Sequence, residues 1–282
     1  MPMKNAEARP KLVKIYTENN DFQYIETLRR KREKRLRSQE FFVEGVRPIN
    51  MALAHTWQIN AFAYTREKKL SDWAENILRQ SRARTHYEMP LHLLEKLSNK
   101  SEPSELLALV AMPEDDLKRI PVHEGLLVVV FDRPASPGNL GTIIRSCDAL
   151  NVDGLIITGH SVDLYDPETI SATTGSFFSL PTVRLPSQKE LLPWIEQLRE
   201  RIGAVQIVGS DEKAVIDLGE QDFGRATVLV VGNETWGMSA SYRELCDTVV
   251  QIPIAGAASS LNVACATSIL LYEIDRQRRG RV

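Results

Sequence analysis

The stretch IPIAGAASSLNVACATSILLYE, Ile252–Glu273, sets a run of very small residues between a strand end and an apolar helix. A loop built from Ala255–Ser259 carries little side-chain volume, so its backbone can approach a ligand closely. Ser260 and Asn262 stand where the helix begins, and polar side chains at that point can face a reaction centre. The stretch therefore predicts a ligand-binding loop that leads directly into a helix.

Composition bounds the class of protein. With 282 residues, of which 43% are hydrophobic, the chain can form one large or two modest domains. It has no uninterrupted apolar run of about 18 residues, so we expect no membrane span. The N-terminus lacks the apolar core of a secretory signal. Three scattered cysteines fit neither a disulfide framework nor a zinc site, which indicates a reducing, cytoplasmic compartment.

Charge is distributed unevenly along the chain. Residues 1–110 hold 20 Lys and Arg against 14 Asp and Glu, whereas residues 111–282 hold 15 against 23. This asymmetry predicts that the first part contacts a polyanion. The stretch YIETLRRKREKRLRSQEFFVEG is typical of a basic helix followed by a short strand, and either a solvated helix face or a phosphate-binding patch would explain it. The candidate phosphate contacts are Arg29, Arg30, Arg32, Arg35 and Arg37.

The order of apolar runs predicts an α/β chain with two domains. From LLVVVF (Leu126–Phe131) onward, buried-strand patterns alternate with helical ones, which favours a parallel sheet with helices on both faces. Before it, shorter β-like and helical runs predict a small α/β domain. A polar stretch with prolines separates the two. The expected layout is an N-terminal extension, a first domain, a linker and a second domain, at residues 1–22, 23–112, 113–125 and 126–282.

Three strand ends of the second domain carry unusual loops. They are DRPASPGNLGTIIRS, GNETWGMS and PIAGAASSLNVA, all rich in Gly, Ala or Ser. Ligands of parallel α/β sheets bind beyond the carboxyl ends of the strands. The chain has no G-x-G-x-x-G after a strand, and GNETWG is not followed by the Lys of a P-loop. It also has no H-E-x-x-H or cysteine cluster, so we expect no metal site.

Taken in order, these motifs are recognisable. NLGTIIRS, VVGNETWGMS and the opening stretch resemble the three motifs of the SpoU/TrmH branch of the SPOUT RNA methyltransferases, over roughly residues 126–277. FFVEGVRPINMAL is similar to the substrate-binding domain of that family, which is like ribosomal protein L30e. The resemblance implies a parallel-sheet SPOUT domain with a deep C-terminal trefoil knot, preceded by a small L30e-like α/β domain. It also implies a homodimer whose site is completed across the interface.

The resemblance also implies an activity. The cofactor would be S-adenosylmethionine (AdoMet), and the reaction would transfer its methyl group to a ribose 2′-hydroxyl of a structured RNA. The two-domain layout favours 23S ribosomal RNA by analogy. A tRNA 2′-O-methyltransferase and a non-catalytic RNA-binding protein that keeps the fold remain alternatives. Base methylation is disfavoured, because SLN after the last strand is similar to the ribose-specific branch.

Site residues follow from matching motif positions. Arg145 matches the family's key arginine, and we interpret it as a clamp on RNA phosphate and ribose, because a guanidinium hardly ever loses its proton to act as a base. Asn139 would orient Arg145 or the ribose, although it could also be an N-cap. Glu234 would anchor its loop or pair with a cation, and Ser260 and Asn262 would position the hydroxyl. Gly232, Ile252 and Leu261 would contact AdoMet. Trp236 could stack on a base or pack in a dimer.

Overall fold

The computed structural model describes residues 10–98 and 100–280. They form two compact units. The first comprises the residues up to Pro113 together with Tyr165–Phe178, and the second comprises Glu114–Leu164 and the residues from Ser179 onward. The domain limits given above stay a prediction of the sequence. No helix in the described part of the chain is both long enough and apolar enough to cross a bilayer.

The first unit is a five-stranded mixed sheet with helices. Its elements are β1 Lys11–Lys14, α1 Asn20–Arg30, α2 Arg32–Ser38, β2 Glu40–Glu44, α3 Val46–Ala54, β3 Ile59–Tyr64, α4 Asp72–Gln80, β4 Thr85–Glu88, α5 Leu91–Leu97 and β5 Leu107–Ala111. The strand order is β1-β4-β3-β5-β2, in which β1, β4 and β3 run parallel while β5 runs antiparallel to β3 and β2. The expected small α/β domain is confirmed.

The basic segment forms two helices rather than one. Asn19 caps α1 by accepting from the backbone N–H groups of Asp21 and Phe22, both at 3.1 Å. The helix ends because Lys31 adopts an extended conformation, with φ −119° and ψ 116°. A second short helix, α2, begins at Arg32. It is terminated by Gln39, whose φ of 53° lies in the left-handed region. The basic residues are therefore divided between two helices and do not line one continuous helix face.

The second half of the chain supplies a larger sheet. Its elements are β6 Leu127–Asp132, α6 Pro137–Ala149, β7 Gly154–Thr158, α7 Pro167–Ala172, β8 Thr182–Leu185, α8 Leu191–Ile202, β9 Val205–Ser210, β10 Ile216–Asp217, β11 Ala226–Val231, α9 Ala240–Leu245, β12 Thr248–Gln251 and α10 Val263–Arg279. All but α7 lie in the second unit. The sheet has seven parallel strands, ordered β10-β12-β9-β11-β6-β7-β8, which confirms the predicted parallel sheet.

The strand order of this sheet indicates where a ligand would bind. Every residue of β6 and of β11 is buried, as expected for central strands that are covered on both faces. The chain proceeds outward from β6 through β7 to β8, then returns to build the other side of the sheet. The order of strands thus reverses between β6 and β11, and α/β sheets bind ligands beyond the carboxyl ends of strands at such a point.

The segment Tyr165–Phe178 belongs to the first unit although it comes from the second half of the chain. Tyr165, Phe177 and Phe178 pack their rings against Phe41 with centroid distances of 4.9, 5.7 and 6.3 Å. The indole N–H of Trp57 donates to the Phe178 carbonyl at 2.9 Å. These contacts complete an aromatic core that the first 113 residues alone leave open.

Candidate active site

The loop after β6 leads into α6 through a serine cap. The Ser136 hydroxyl accepts from the backbone N–H of Asn139 at 3.3 Å, and Pro137 occupies the first helical position, which suits a residue without an N–H. Asn139 is therefore the third residue of the helix and not its N-cap. Its side chain is released from capping and can serve the site.

The loop after β11 closes tightly on itself. A Cβ atom on Gly232 would lie 2.2 Å from the backbone nitrogen of Met238, so only glycine fits there. The Asn233 side-chain oxygen accepts from the backbone of Thr235 and Trp236 at 2.9 and 3.0 Å. Asn233 also pairs with Gly237 through two backbone hydrogen bonds of 3.0 Å. This loop needs no ligand to hold its shape.

An ion pair with a buried carboxylate, at the end of β6, stabilises the same loop. Asp132, only 3% exposed, accepts from the Arg133 guanidinium at 3.0 and 2.9 Å and from the backbone N–H of Ser239 at 3.0 Å. The Asn233 amide donates to the Arg133 carbonyl at 2.6 Å. Hydrogen bonding to Asp132 raises the pKa of Arg133, so this guanidinium stays charged in its structural role.

Three side chains connect the three loops. The Asn262 amide donates to the Asn139 side-chain oxygen at 3.1 Å, and the Asn139 amide donates to Glu234 at 3.3 Å. The Glu234 carboxylate also accepts from the backbone N–H groups of Ala135 and Ser136, at 2.9 and 3.0 Å. Glu234 is therefore an anchor between the loops after β6 and β11. Three donors already occupy its oxygens, which supports this anchoring role.

Asn262 also starts the last helix. Its side-chain oxygen accepts from the backbone N–H groups of Ala264 and Cys265, at 2.9 and 3.3 Å, so Asn262 is the N-cap of α10. Ser260 lies two residues before the cap and is exposed. A capping oxygen is fixed by the helix, and the amide N–H of the same side chain is thereby aimed at Asn139.

A cavity of about 420 Å³ opens beside this connection. It lies at the ends of β9, β11 and β12 and at the first turn of α10, and such a volume suits a small organic ligand. Its lining includes Ser210, Gly232, Glu234, Trp236, Ile252, Ser260, Leu261 and Ala266. The three residues predicted to contact AdoMet are thus all on its wall, with Ser260 and Glu234. Trp236 stands at this wall with 80% of its surface exposed.

Arg145 lies on α6 outside this wall. It is exposed, and within residues 10–98 and 100–280 its side chain makes no hydrogen bond or ion pair. Six residues after Asn139, it lies about 9 Å further along the helix and about 120° around it. Ser146, next to it, bonds the Ser268 hydroxyl of α10 at 2.8 Å. The structure brings Asn139, Asn262 and Glu234 together, and it leaves Arg145 pointing to solvent.

The two enclosed cysteines are not reactive thiols. Burial raises the pKa of the Cys147 thiol above its usual range and that of Cys246 to about 12, so neither is a ready nucleophile. Among the residues that the structure describes, no group of His, Cys, Asp and Glu has the arrangement of a metal site.

Comparison with known proteins identifies the family to which this chain belongs. Residues 126–272 match the SpoU rRNA Methylase family, and residues 19–108 match the SpoU L30e-like domain. The chain belongs to the SpoU rRNA methylase family. The resemblance drawn from the three loop motifs is confirmed.

One sequence comparison and one solved structure illustrate how close the relatives of this SpoU chain are. The 23S rRNA (uridine(2479)-2′-O)-methyltransferase of Streptomyces viridochromogenes is 47% identical over 279 residues, which cover 99% of this chain and 97% of that protein. The crystal structure of the SpoU methyltransferase AviRb from the same organism, in complex with AdoMet, has a TM-score of 0.89 at 48% identity, covering 93% of this chain and 98% of the other.

A more distant structure agrees. The AdoMet-bound rRNA methyltransferase of Sinorhizobium meliloti superposes with a TM-score of 0.84 at 28% identity, covering 94% of this chain and 98% of the other. The likeness therefore extends through both units of the SpoU chain and is not confined to the loop motifs.

The structure corrects part of the predicted RNA surface. Arg35 is only 1% exposed; its guanidinium donates to the carbonyls of Leu28 and Arg29 at 2.8 and 2.7 Å and pairs with Asp166 at 3.2 Å. The half-buried Arg29 donates to the carbonyls of Leu97 and Ser98, at 3.3 and 2.8 Å, at the end of α5. Arg35 is therefore unavailable to RNA, and Arg29 is committed to the fold.

The other three arginines of this segment differ in exposure. Arg30 is exposed and pairs with Glu26 at 3.1 Å, Arg37 is exposed, and Arg32 is half-buried. Arg30 and Arg37 are the two that keep an open route to a phosphate, so the basic segment offers a smaller surface than its sequence suggests.

Sequence reasoning missed the brace beneath the loops. Asp132, Arg133 and Asn233 were not among the predicted site residues, although Asp132 ends a fully buried strand and Arg133 follows it directly. A charged pair at that place is a usable signal, because a carboxylate at the edge of a core must find donors.

Proposed function

We propose that this chain uses AdoMet to methylate a ribose 2′-hydroxyl of 23S ribosomal RNA in the cytoplasm. The observation that carries the proposal is the Asn262–Asn139–Glu234 connection, which joins the loops after β6 and β11 to the start of α10 beside the cavity. The Streptomyces relative, named for a uridine of 23S rRNA, aligns over nearly the whole chain and supports the substrate.

The cavity fits AdoMet in size and chemistry. Its volume falls within the range of pockets for small organic cofactors. Ile252, Ile254 and Leu261 offer apolar contact for a purine, while Gly232 and Ser260 expose backbone donors and acceptors on the same wall. Bound AdoMet would supply a methyl group already activated on a sulfonium.

The protein residues then position and stabilise the substrate. Asn139 and Asn262 hold fixed amide groups at the edge of the cavity, suited to orienting the ribose. Positioning of this kind supplies up to about 7–11 kcal/mol in favourable cases. Arg145 would clamp the phosphate and stabilise charge that develops on the 2′-oxygen, and the proton would pass to phosphate or water.

We further propose that the second unit contains the deep trefoil knot that the motifs imply. We also propose a homodimer in which Arg145 contributes to the cavity of the partner subunit. Two observations support the dimer. Arg145 does not line the cavity of its own subunit. On α10, Cys265, Ile269 and Tyr272 form an exposed stripe at helical spacing, with Ile269 41% and Tyr272 57% exposed. Exposed apolar stripes of this kind mark interaction surfaces.

Methyl transfer to RNA tests the activity directly. Labelled AdoMet is supplied with deproteinised 23S rRNA or with tRNA, and the product is mapped by alkali resistance and mass spectrometry. We expect incorporation into one 23S ribose, with the uridine of the Streptomyces relative as the first position to examine. Incorporation into tRNA would redirect the substrate assignment. If the protein binds RNA but calorimetry detects no heat of AdoMet binding, the protein is non-catalytic.

Arg145→Ala tests the clamp. Loss of charge stabilisation should lower kcat by about 100-fold or more, while the Kd for AdoMet, measured by calorimetry, stays unchanged. Arg145→Lys keeps the charge but not the planar fork and should recover only part of the rate. A folded Arg145→Ala enzyme that methylates at the normal rate would contradict the assigned role.

Mixed dimers test whether Arg145 acts in the partner. Arg145→Ala and Gly232→Ala enzymes, each inactive, are combined and allowed to exchange subunits. If Arg145 acts across the interface, the mixed dimer keeps one intact site, and random exchange restores about a quarter of the wild-type activity. If Arg145 acts within its own subunit, the mixture stays inactive. Sedimentation velocity of each variant confirms that the dimer forms.

A further inference from the structure

The first unit contains a strand that precedes its family match. The SpoU L30e-like match begins at residue 19, whereas β1 spans Lys11–Lys14 and pairs in parallel with β4. The pairing is extended by backbone bonds at both ends, from Lys11 to Arg84 and from Ile15 to Glu88, each 2.9 Å. Residues 11–14, which precede the matched domain, thus form an integral edge of its sheet.

This added strand forms one wall of a pocket. A cavity of about 270 Å³ lies at the carboxyl ends of β1, β4 and β3, and Lys14, Tyr16, Arg66, Glu88 and Pro90 are among its lining residues. Without β1, the wall made by Lys14, Ile15 and Tyr16 would be missing. The pocket therefore depends on the N-terminal strand and lies entirely within the first unit.

Tyr16 is held in the open on an anchored segment. Its side chain is 70% exposed, whereas the preceding Ile15 is fully buried in the core of the unit. On the other side, Glu18 pairs with Lys96, and Asn19 caps α1. Because the backbone on both sides of Tyr16 is anchored, the segment loses little conformational freedom when the exposed ring binds a partner, which favours a stacking role.

The charges around the ring suit RNA. Lys14 and Arg66 line the pocket, and Lys68 and Lys69 follow on the exposed loop after β3. Within the described residues, Lys68 and Lys69 make no ion pair. Two carboxylates line the pocket as well: Glu67 accepts from the backbone N–H of Leu91 at 2.8 Å, and Glu88 lies 3.7 Å from Lys14. Arg66 pairs with Glu75, so the excess positive charge beside the ring comes from Lys68 and Lys69.

We propose that this pocket is a second RNA site, which takes one unstacked nucleotide of a single-stranded segment. The base stacks on Tyr16, and Lys14, Lys68 and Lys69 contact the adjoining phosphates. Exposed aromatic rings flanked by cations are the usual means of binding single strands without strict base choice. The inference rests on the proposed function only in taking RNA as the substrate.

The test measures RNA binding by the full-length protein in the absence of AdoMet. The probes are a fluorescein-labelled 12-nucleotide oligouridylate and an RNA duplex of the same length. For Tyr16→Ala we expect the single-strand Kd to rise about 5- to 100-fold, as for loss of one stacked base, with little change for the duplex. Tyr16→Phe should restore binding to within about twofold, because it keeps the ring.

Two further variants give the test its controls. Leu12→Ala alters an exposed side chain on the same strand outside the pocket and should bind like the wild type. Exchanging Lys68 and Lys69 for Gln should reduce the slope of log K against log salt by about 1–2. In the methylation assay, Tyr16→Ala should raise the KM for rRNA and leave kcat unchanged.

Wild-type affinity of the Tyr16→Ala protein for the single strand would overturn this inference, as would an equal loss for single strand and duplex. Because the binding assay contains no AdoMet, it gives its answer even if the chain methylates no RNA. A failure of the proposed function and a failure of this site are therefore distinguishable.

Discussion

Two loops border the same cavity, and they are built in opposite ways. The loop after β11, residues 232–239, is fixed by Asn233, by the Asp132–Arg133 pair and by a glycine that nothing larger can replace. The loop after β12 is almost bare. Residues 255–262 are exposed, and within the described chain no hydrogen bond involves residues 253–261. Both carried small residues in the sequence, yet only one of them is held in place.

The difference separates two uses of small residues. In the loop after β11, glycine permits a close approach of backbone to backbone, so the loop is preformed. In the loop after β12, small side chains leave space, and the partner that fills it has to come from outside the loop. We expect AdoMet to be that partner, with part of its binding free energy offset by the ordering of this loop.

The largest effect on the rate of methyl transfer should separate Gly232, in the loop after β11, from Gly256, in the loop after β12. Gly232→Ala forces a Cβ into the Met238 backbone, so the loop must open, and we expect methyl transfer to fall by at least about 100-fold, because small displacements at a reacting site have that effect. Gly256→Ala is the matched control: its Cβ would have no atom within 4 Å, and its rate should stay within about threefold. Equal effects of the two substitutions would remove the distinction between the loops.

A second substitution probes the point where the bare loop ends. Asn262→Asp keeps an oxygen to cap α10 but loses the N–H that reaches Asn139, whereas Asn262→Ala loses both. We expect Asp to preserve the melting temperature while activity falls about tenfold, and Ala to cost about 1 kcal/mol of stability in addition. Thermal unfolding beside single-turnover kinetics measures both. Full activity of the Asp variant would show that the Asn139 contact is dispensable.

The smallest effect is a change in backbone protection without any substitution. Amide exchange at residues 255–261 should be fast in the free protein and should slow several-fold with AdoMet. Exchange at Thr235, Trp236 and Gly237 should be slow in both states, because their N–H groups are already bonded. Exchange that is equally slow in both loops before AdoMet is added would argue that the second loop is also preformed.

Much of the fold followed from local sequence patterns. Continuous apolar runs indicated the buried parallel strands, and three loops at strand ends led to the family, because strand ends of parallel sheets converge on one edge. Gly232, Ile252 and Leu261 do lie together on one cavity wall. These features depend on neighbours in the chain and on general topology, so a single sequence contains them.

Other features depend on partners far away in the chain. Arg35 looked like one more cation in a basic helix, but it pairs with Asp166, 131 residues later. Asn139 looked like a helix cap, yet Ser136 takes that place and Asn139 meets Asn262 instead. Short motifs could not distinguish a cap from a site residue three positions on. Nor did the crowding of arginines show which of them the fold would enclose.

The aromatic segment Tyr165–Phe178 has a practical consequence. The first unit is assembled from two separate stretches of the chain, so no single cut releases it whole. A fragment ending near residue 112 would leave Phe41 and Trp57 without the rings that cover them. We expect such a fragment to aggregate, and engineers who wish to graft this unit onto another enzyme would need to transplant both stretches together.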